Sequence, residues 1–206
     1  MSLPIERFPL FPLGLVLIPG EVVPLHIFEE RYKQMIGECL DEQREFGIVW
    51  LSDDGLKLVG CSAEITQLLE RMEDGRMNIL VQGSRPFKLL RRIDDMPYPA
   101  GDVEPLDDED SPVDPDVAAA ARERYADLVE RVTDSRPTES ALEELSAYGM
   151  AATVEFPHDA KQDLLELRSE EERMRALSDL LEATMKRLDY AEETSELAKG
   201  NGKVRL

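Results

Sequence analysis

Histidine, cysteine and tryptophan are scarce in this 206-residue chain, with two, two and one of each. Cys39 and Cys61 fall in different expected elements, which excludes a disulfide framework and a four-ligand zinc site. They read as small buried thiols of a cytoplasmic protein. Basic residues are also few, 24 against 44 acidic ones, for a net charge of −20. Such a balance repels phosphate backbones and anionic lipid, so neither nucleic acid nor a membrane surface is an expected partner. Long apolar runs are missing. Residues 8–19 come nearest, but Pro9, Pro12 and Pro19 interrupt them, and Glu6 and Arg7 ahead of them carry no net positive charge. Neither an export signal nor a membrane span is expected.

The residues that usually carry chemistry do not assemble into a motif. No Gly-x4-Gly-Lys-Ser/Thr spacing exists to cradle phosphates, and Gly200-Asn201-Gly202-Lys203 is only polar sequence near the end. Gly83-Ser84 lacks the flanking pattern of a nucleophile elbow. A serine or cysteine nucleophile needs a base, and His26 and His158 fall in different expected domains. No catalytic, cofactor-binding or metal-binding residue is assigned, and no cofactor is expected. The acidic run at 107–110 lacks the alternating ligands and glycine of a calcium loop. The one basic cluster, Arg85, Lys88, Arg91 and Arg92, is expected to pair with neighbouring acids.

What is present is a globular composition, 42% apolar and 33% charged. Short apolar runs at 3–11 and 21–25, punctuated by prolines, suit edge strands and tight loops. Phe28, Tyr32, Met35, Ile36, Cys39 and Leu40 form one stripe of a helix. Residues 46–51 are apolar on both faces, as in a buried central strand. Asp54-Gly55 turns into a long bent strand over 56–72, or two strands joined at a bulge. Asp74-Gly75 is a hairpin signal leading to a strand at 77–82, with another at 87–93. The segment around 102–116 is acidic and proline-bearing, a solvated linker. Four helices follow, opened by Asp114-Pro115, Ser140 with Glu143, Asp159 with Gln162, and Ser169 with Glu172. Met174, Leu177, Leu181, Met185 and Leu188 mark the core face of the last. The expected domains are a β-rich subdomain over 1–106, a linker over 107–113, a helical bundle over 114–192 and a disordered tail over 193–206.

The order of local motifs is specific. Phe8-Pro9-Leu10-Phe11-Pro12-Leu13, Pro19-Gly20 and the segment from Pro24 through His26 and Phe28 to Tyr32 resemble the opening of a Lon protease N-terminal domain. Phe46-Gly47-Ile48-Val49, 59–65, Asp74-Gly75-Arg76, 78–83, Arg85-Pro86-Phe87, 103–106, 160–167 and Glu172-Arg173 follow in that family's order, so the resemblance spans roughly residues 4–192. It implies an α+β fold: a PUA-like bent β-barrel with one inserted helix, then a helical bundle. It further implies a non-catalytic module that captures unfolded or extended polypeptide or a partner protein, without the ATPase and peptidase parts of Lon and with an adaptor role in protein quality control. RNA binding by a PUA-like barrel, disfavoured by the charge, and a cryptic hydrolase are the alternatives. The oligomeric state is left open.

The candidate peptide contacts are Leu13, Leu15, Val16, Leu17 and Ile18, in a protruding loop bounded by prolines, together with His26, Phe28, Trp50 and Phe87. Phe28 and Trp50 have a competing role as core residues, and His26 as a structural hydrogen-bonder.

Overall fold

The computed structural model describes residues 3–109 and 111–201, with side chains to 194. The chain runs β1 (Ile5–Leu13), β2 (Val22–Ile27), α1 (Glu30–Glu42), β3 (Phe46–Ser52), β4 (Gly55–Arg71), β5 (Met77–Ile93) and β6 (Ala100–Pro105). It continues α2 (Pro115–Thr133), α3 (Glu139–Glu143), α4 (Ala147–Ala151), α5 (His158–Glu166) and α6 (Glu170–Asn201). This is an α+β fold with one mixed sheet.

Two compact units divide it. The first holds all six strands, α1 and the segment from Tyr148 to Ser169 with α5. The second holds α2, α3 and α6. The expected boundaries are therefore redrawn: residues 148–169 pack with the strands and not with a helical bundle over 114–192. Gln162 donates to the Val59 carbonyl at 3.2 Å, and Lys161 bonds Glu21. These bonds tie α5 to β4 and to the start of β2.

The sheet order is β2-β5-β4-β3-β1-β6, and β5 also pairs with β6. Pairing thus runs in a closed circuit through β1, β3, β4, β5 and β6, with β2 appended to β5. β1 and β3 are parallel, and the other pairs are antiparallel. Two 17-residue strands make the circuit possible. β5 is long enough to pair β2 over Met77–Gln82 and then β6 over Phe87–Ile93, so the two strands expected in this region are one. The turn between β4 and β5 contains Gly75 at φ +81°, a left-handed conformation that the Asp74-Gly75 pair anticipates. β6 occupies the start of the segment read as linker; Ala100 is buried there, as are the alternate residues Gly101, Val103 and Pro105.

Inside the circuit Phe8, Leu10, Val49, Phe87, Leu89 and Val103 form a core. Phe8 meets Phe87 edge to face at 5.7 Å, a favoured ring geometry. Gly47 and Gly60 leave room for that ring, since a Cβ on either would fall within 2.8 Å of it. In α1, Tyr32, Met35, Ile36 and Cys39 are buried, as the stripe predicts. Phe28 is not part of it. It precedes the helix and is 60% exposed.

In the second unit Asp114 caps α2 by accepting from the Asp116 amide at 2.9 Å, with Pro115 in the first turn. α3 is capped by Thr138, not Ser140. Arg124 joins α2 to α6 through Ser178 at 2.8 Å and Glu182 at 3.0 Å. α6 continues to Asn201, so the helix covers residues 193–201, expected as tail; 202–206 lie outside the described residues. No helix among the described residues is long and apolar enough to cross a membrane.

Candidate functional site

The sequence-derived candidates do not converge. Val16, Leu17 and Ile18 are buried, which overturns the protruding loop. The cause is Gly83: a Cβ there would stand 2.2 Å from the Ile18 carbonyl, so the loop lies directly on β5. Gly20 donates to the Gly83 carbonyl at 2.8 Å and Gly83 to that of Glu21 at 2.9 Å. Leu13 and Leu15 are half-buried and line separate pockets. Phe87 is 1% exposed and belongs to the core. Trp50 is half-buried, with His158 edge-on at 5.8 Å and the Lys57 ammonium over its ring at 5.5 Å.

His26 and Phe28 do come together. Their rings stack at 5.8 Å with an interplanar angle of 23°. β2 alternates, with Leu25 and Ile27 buried and Val22, Pro24 and His26 turned outward. On that outer face His26 pairs with Asn78, and Asn78 with Glu70, so three strands contribute one row. Asn78 donates through Nδ2 to Glu70 Oε2 at 3.0 Å, and its Oδ1 lies 2.6 Å from His26 Nδ1. An amide oxygen only accepts, so Nδ1 of His26 carries the proton. The row fixes the imidazole, and the imidazole supports the Phe28 ring.

A surface pocket of about 660 Å³ adjoins this row. Pro24, Leu25, His26, Leu69, Asn78 and Ile79 line it together with Glu70. Leu69 is 49% exposed and is the extra residue where the β4–β5 register shifts between Leu68 and Glu70. Leu69, Glu70 and Asn78 were not singled out from sequence. The Leu68-Leu69 doublet, which breaks a period of two, was the available signal.

A second pocket, of about 640 Å³, lies where β1, the start of α1, the β3–β4 hairpin and the β5–β6 connection meet. Leu13, Leu51, Leu56 and Pro97 contribute to its wall, with Arg31 and Arg92. Below it Glu38, Arg44 and Tyr98 interlock. The Tyr98 hydroxyl donates to Glu38 and accepts from Arg44 at 3.1 Å. The Tyr98 bond holds the Glu38 carboxyl below its ordinary value. Burial, and then that same bond, push Tyr98 up to about 12.

The two histidines belong to one unit, not to two. His158 sits against Trp50 and His26 on Asn78. Burial raises the Cys39 thiol to about 11 and the Cys61 thiol further, which suppresses the nucleophilic thiolate. No group of three or more metal-ligating side chains occurs among the described residues.

The fold and these pockets define an α+β domain with a mixed sheet, whose appended ribbon carries the polar row of His26, Asn78 and Glu70 beside the exposed Phe28 and Leu69. The family model of the ATP-dependent protease La (LON) substrate-binding domain matches residues 7–183. Lon protease from Anaeromyxobacter dehalogenans is 26% identical over 210 residues, 93% of this chain and 25% of its own. Lon protease from Paraburkholderia phytofirmans is 24% identical over 97% of this chain and 27% of its own. The chain thus spans about a quarter of the length of these relatives. Among solved structures, a Lon N-terminal domain protein from Xanthomonas campestris superposes with TM-score 0.66 at 23% identity, covering 84% of this chain and 97% of that one. The N-terminal domain of Lon protease from the Mycobacterium avium complex gives 0.63 at 20% identity, over 86% and 98%. The chain belongs to the LON substrate-binding domain family.

Proposed function

We propose that this chain is a non-catalytic recognition module that holds unfolded or extended polypeptide, working as an adaptor in protein quality control in the cytoplasm. The carrying observation is Phe28, 60% exposed yet held in a fixed plane by a hydrogen-bonded imidazole. An exposed ring whose support is rigid loses little conformational entropy when a partner covers it, which favours binding. The neighbouring pocket supplies Leu69 and Pro24 as further apolar contact.

The outer face of the ribbon, and not the free edge of β2, is the contacting surface in this reading. Pro24 lies in the middle of that edge strand and lacks an N–H, which blunts strand addition. The pocket lining carries Glu70 and no lysine or arginine, so a nucleic-acid backbone finds no counter-charge there. We read the closed strand circuit as the PUA-like barrel of the family and the α2–α3–α6 unit as its helical companion.

The test is fluorescence anisotropy with labelled, chemically unfolded polypeptide against the wild-type chain and the Phe28→Ala/Leu69→Ser double variant. Saturable binding that weakens at least tenfold in the double variant supports the reading. Equal binding by both proteins moves the surface elsewhere, and absence of binding to any unfolded chain sinks the proposal.

A further inference from the structure

An exposed arginine, Arg92, lines the pocket at the end of the strand circuit, on the core side of its ladder. β5 and β6 pair with Leu89 opposite Val103, then Arg91 opposite Asp102 and Arg92 opposite Gly101. The register shifts between the first two pairs, so Leu90 is an extra residue, a β-bulge. Residues directly opposite in an antiparallel pair share a face of the sheet. Leu89 and Val103 face the core, and Gly101 faces the same way, since a Cβ on it would meet Leu89 Cδ1 at 2.4 Å and Leu10 Cδ1 at 3.1 Å. Arg92 therefore stands on the inner side, over a residue without a side chain. Arg91 is sent outward, where it pairs with Asp102 at 2.6 Å. Without the bulge the alternation would put Arg92 outside.

Four charged residues line this pocket, Glu29, Arg31, Arg92 and Asp94, and the first two pair with each other. Arg31 is neutralised by Glu29 at 2.8 Å and lies over the Tyr32 ring at 4.6 Å. Arg92 and Asp94 line the same pocket and have no partner among the described residues. Pro12, Pro97 and Pro99 form part of the wall and lack an N–H. In a chain of net charge −20, an exposed arginine on this wall that no carboxylate pairs among the described residues, Asp94 of the same lining included, is free to meet an incoming anion.

We infer that this pocket binds the C-terminal residue of a polypeptide, with its carboxylate on Arg92 and an apolar side chain against Leu51, Leu56 and Pro97. Arginine meets a carboxylate through two parallel N–H donors. Asp94 adds an acceptor for a backbone N–H, which a chain end offers and a simple aliphatic acid does not. The inference rests on the polypeptide-recognition reading and adds to it a second contact with a different chemistry, about the chain end and not the chain interior.

The experiment is anisotropy with the full chain and a labelled decapeptide ending in leucine, made as the free acid and as the C-terminal amide, with octanoate as competitor. The expected result is at least tenfold tighter binding of the free acid. Arg92→Gln abolishes that preference, and Arg91→Gln, on the outer face, keeps it. Circular dichroism checks that both variants fold. Equal binding of acid and amide, or an unchanged preference in Arg92→Gln, overturns the inference while leaving polypeptide recognition intact. Displacement by octanoate at concentrations matching the peptide also overturns it, in favour of a small-acid site. Failure of both peptides to bind overturns this inference, while capture of longer unfolded chains decides the broader reading.

Discussion

The ammonium of Lys161 bonds the carboxylate of Glu21 across 140 residues of sequence, and both side chains are almost fully buried. Glu21 also accepts from the Ile18 amide at 3.3 Å, and Lys161 reaches the Val16 carbonyl at 3.5 Å. One ion pair thus pins the β1–β2 loop and α5 together. Removing one partner of such a pair strands a buried charge, whereas removing both does not. Lys161→Met is expected to lower stability by about 3–5 kcal/mol. The Glu21→Gln/Lys161→Met double variant should recover at least half of that loss in urea unfolding. Additive losses would show that the two residues act independently.

Gly83 sets how closely that loop approaches the sheet. Gly83→Ala places a methyl group against the Ile18 carbonyl, and overpacking of this kind costs about 1–3 kcal/mol. Hydrogen exchange should accelerate at Gly20 and Gly83, whose amides bond across the contact. Wild-type stability and exchange in the variant would contradict the close approach.

Two phenylalanines named as peptide contacts should separate cleanly by stability. Phe87→Ala empties the centre of the core and is expected to cost about 3–5 kcal/mol. Phe28→Ala removes a ring that is mostly in water, and surface changes of this kind stay within about 0.5 kcal/mol. Thermal unfolding of the two variants decides the matter, and similar losses would place Phe28 in a packed environment.

Tyr98 predicts an alkaline limit. Its hydroxyl is raised to about 12, by burial first and by the Glu38 bond second. In the unfolded chain tyrosine ionises near 10. The unfolded state therefore gives up its proton first as pH rises. The stabilisation is whole below about 10 and is lost progressively up to about 12. Glu38 is shifted the other way, so its contribution is present above the ordinary carboxylate range and is lost as pH falls through its lowered value. In Tyr98→Phe the decline in thermal midpoint between pH 10 and 12 should shrink. Burial raises Tyr32 as well, so absorbance at 295 nm should show a late tyrosine phase in the wild type that shrinks in Tyr98→Phe, and an identical late phase in both proteins would refute the assignment.

Much of the strand set was legible because its signals are local. Alternating burial in β5, the Asp74-Gly75 turn and the Asp114-Pro115 helix start each follow from a few neighbouring residues. Phe28 shows the limit of periodicity. It fits the i, i+4 spacing of α1, but the helix starts at Glu30, so the residue is never wound onto the buried face. The single length of β5 was hidden because Gly83 and Pro86 look like breaks. They are instead a close contact with the loop and a pairing with Cys61.

The candidate sites depended on register more than on composition. Leu69 is the extra residue of one ladder and Arg92 follows the extra residue of another, beside the doublets Leu68-Leu69 and Leu89-Leu90. A doublet announces a break in alternation without saying which side chain the break re-aims. That depends on the opposite strand, and Gly101 opposite Arg92 lies nine residues further along.

By itself the sequence determined the α+β class, the acidic charge, the order of most elements and the family resemblance, because propensity, turn chemistry and motif order are properties of short segments. Tertiary structure alone decided the closed strand circuit, the docking of α5 onto the strands, the burial of residues 16–18 and the side of the ladder on which Arg92 stands. Each of those depends on which backbone lies opposite, a relation between distant segments that local patterns do not encode.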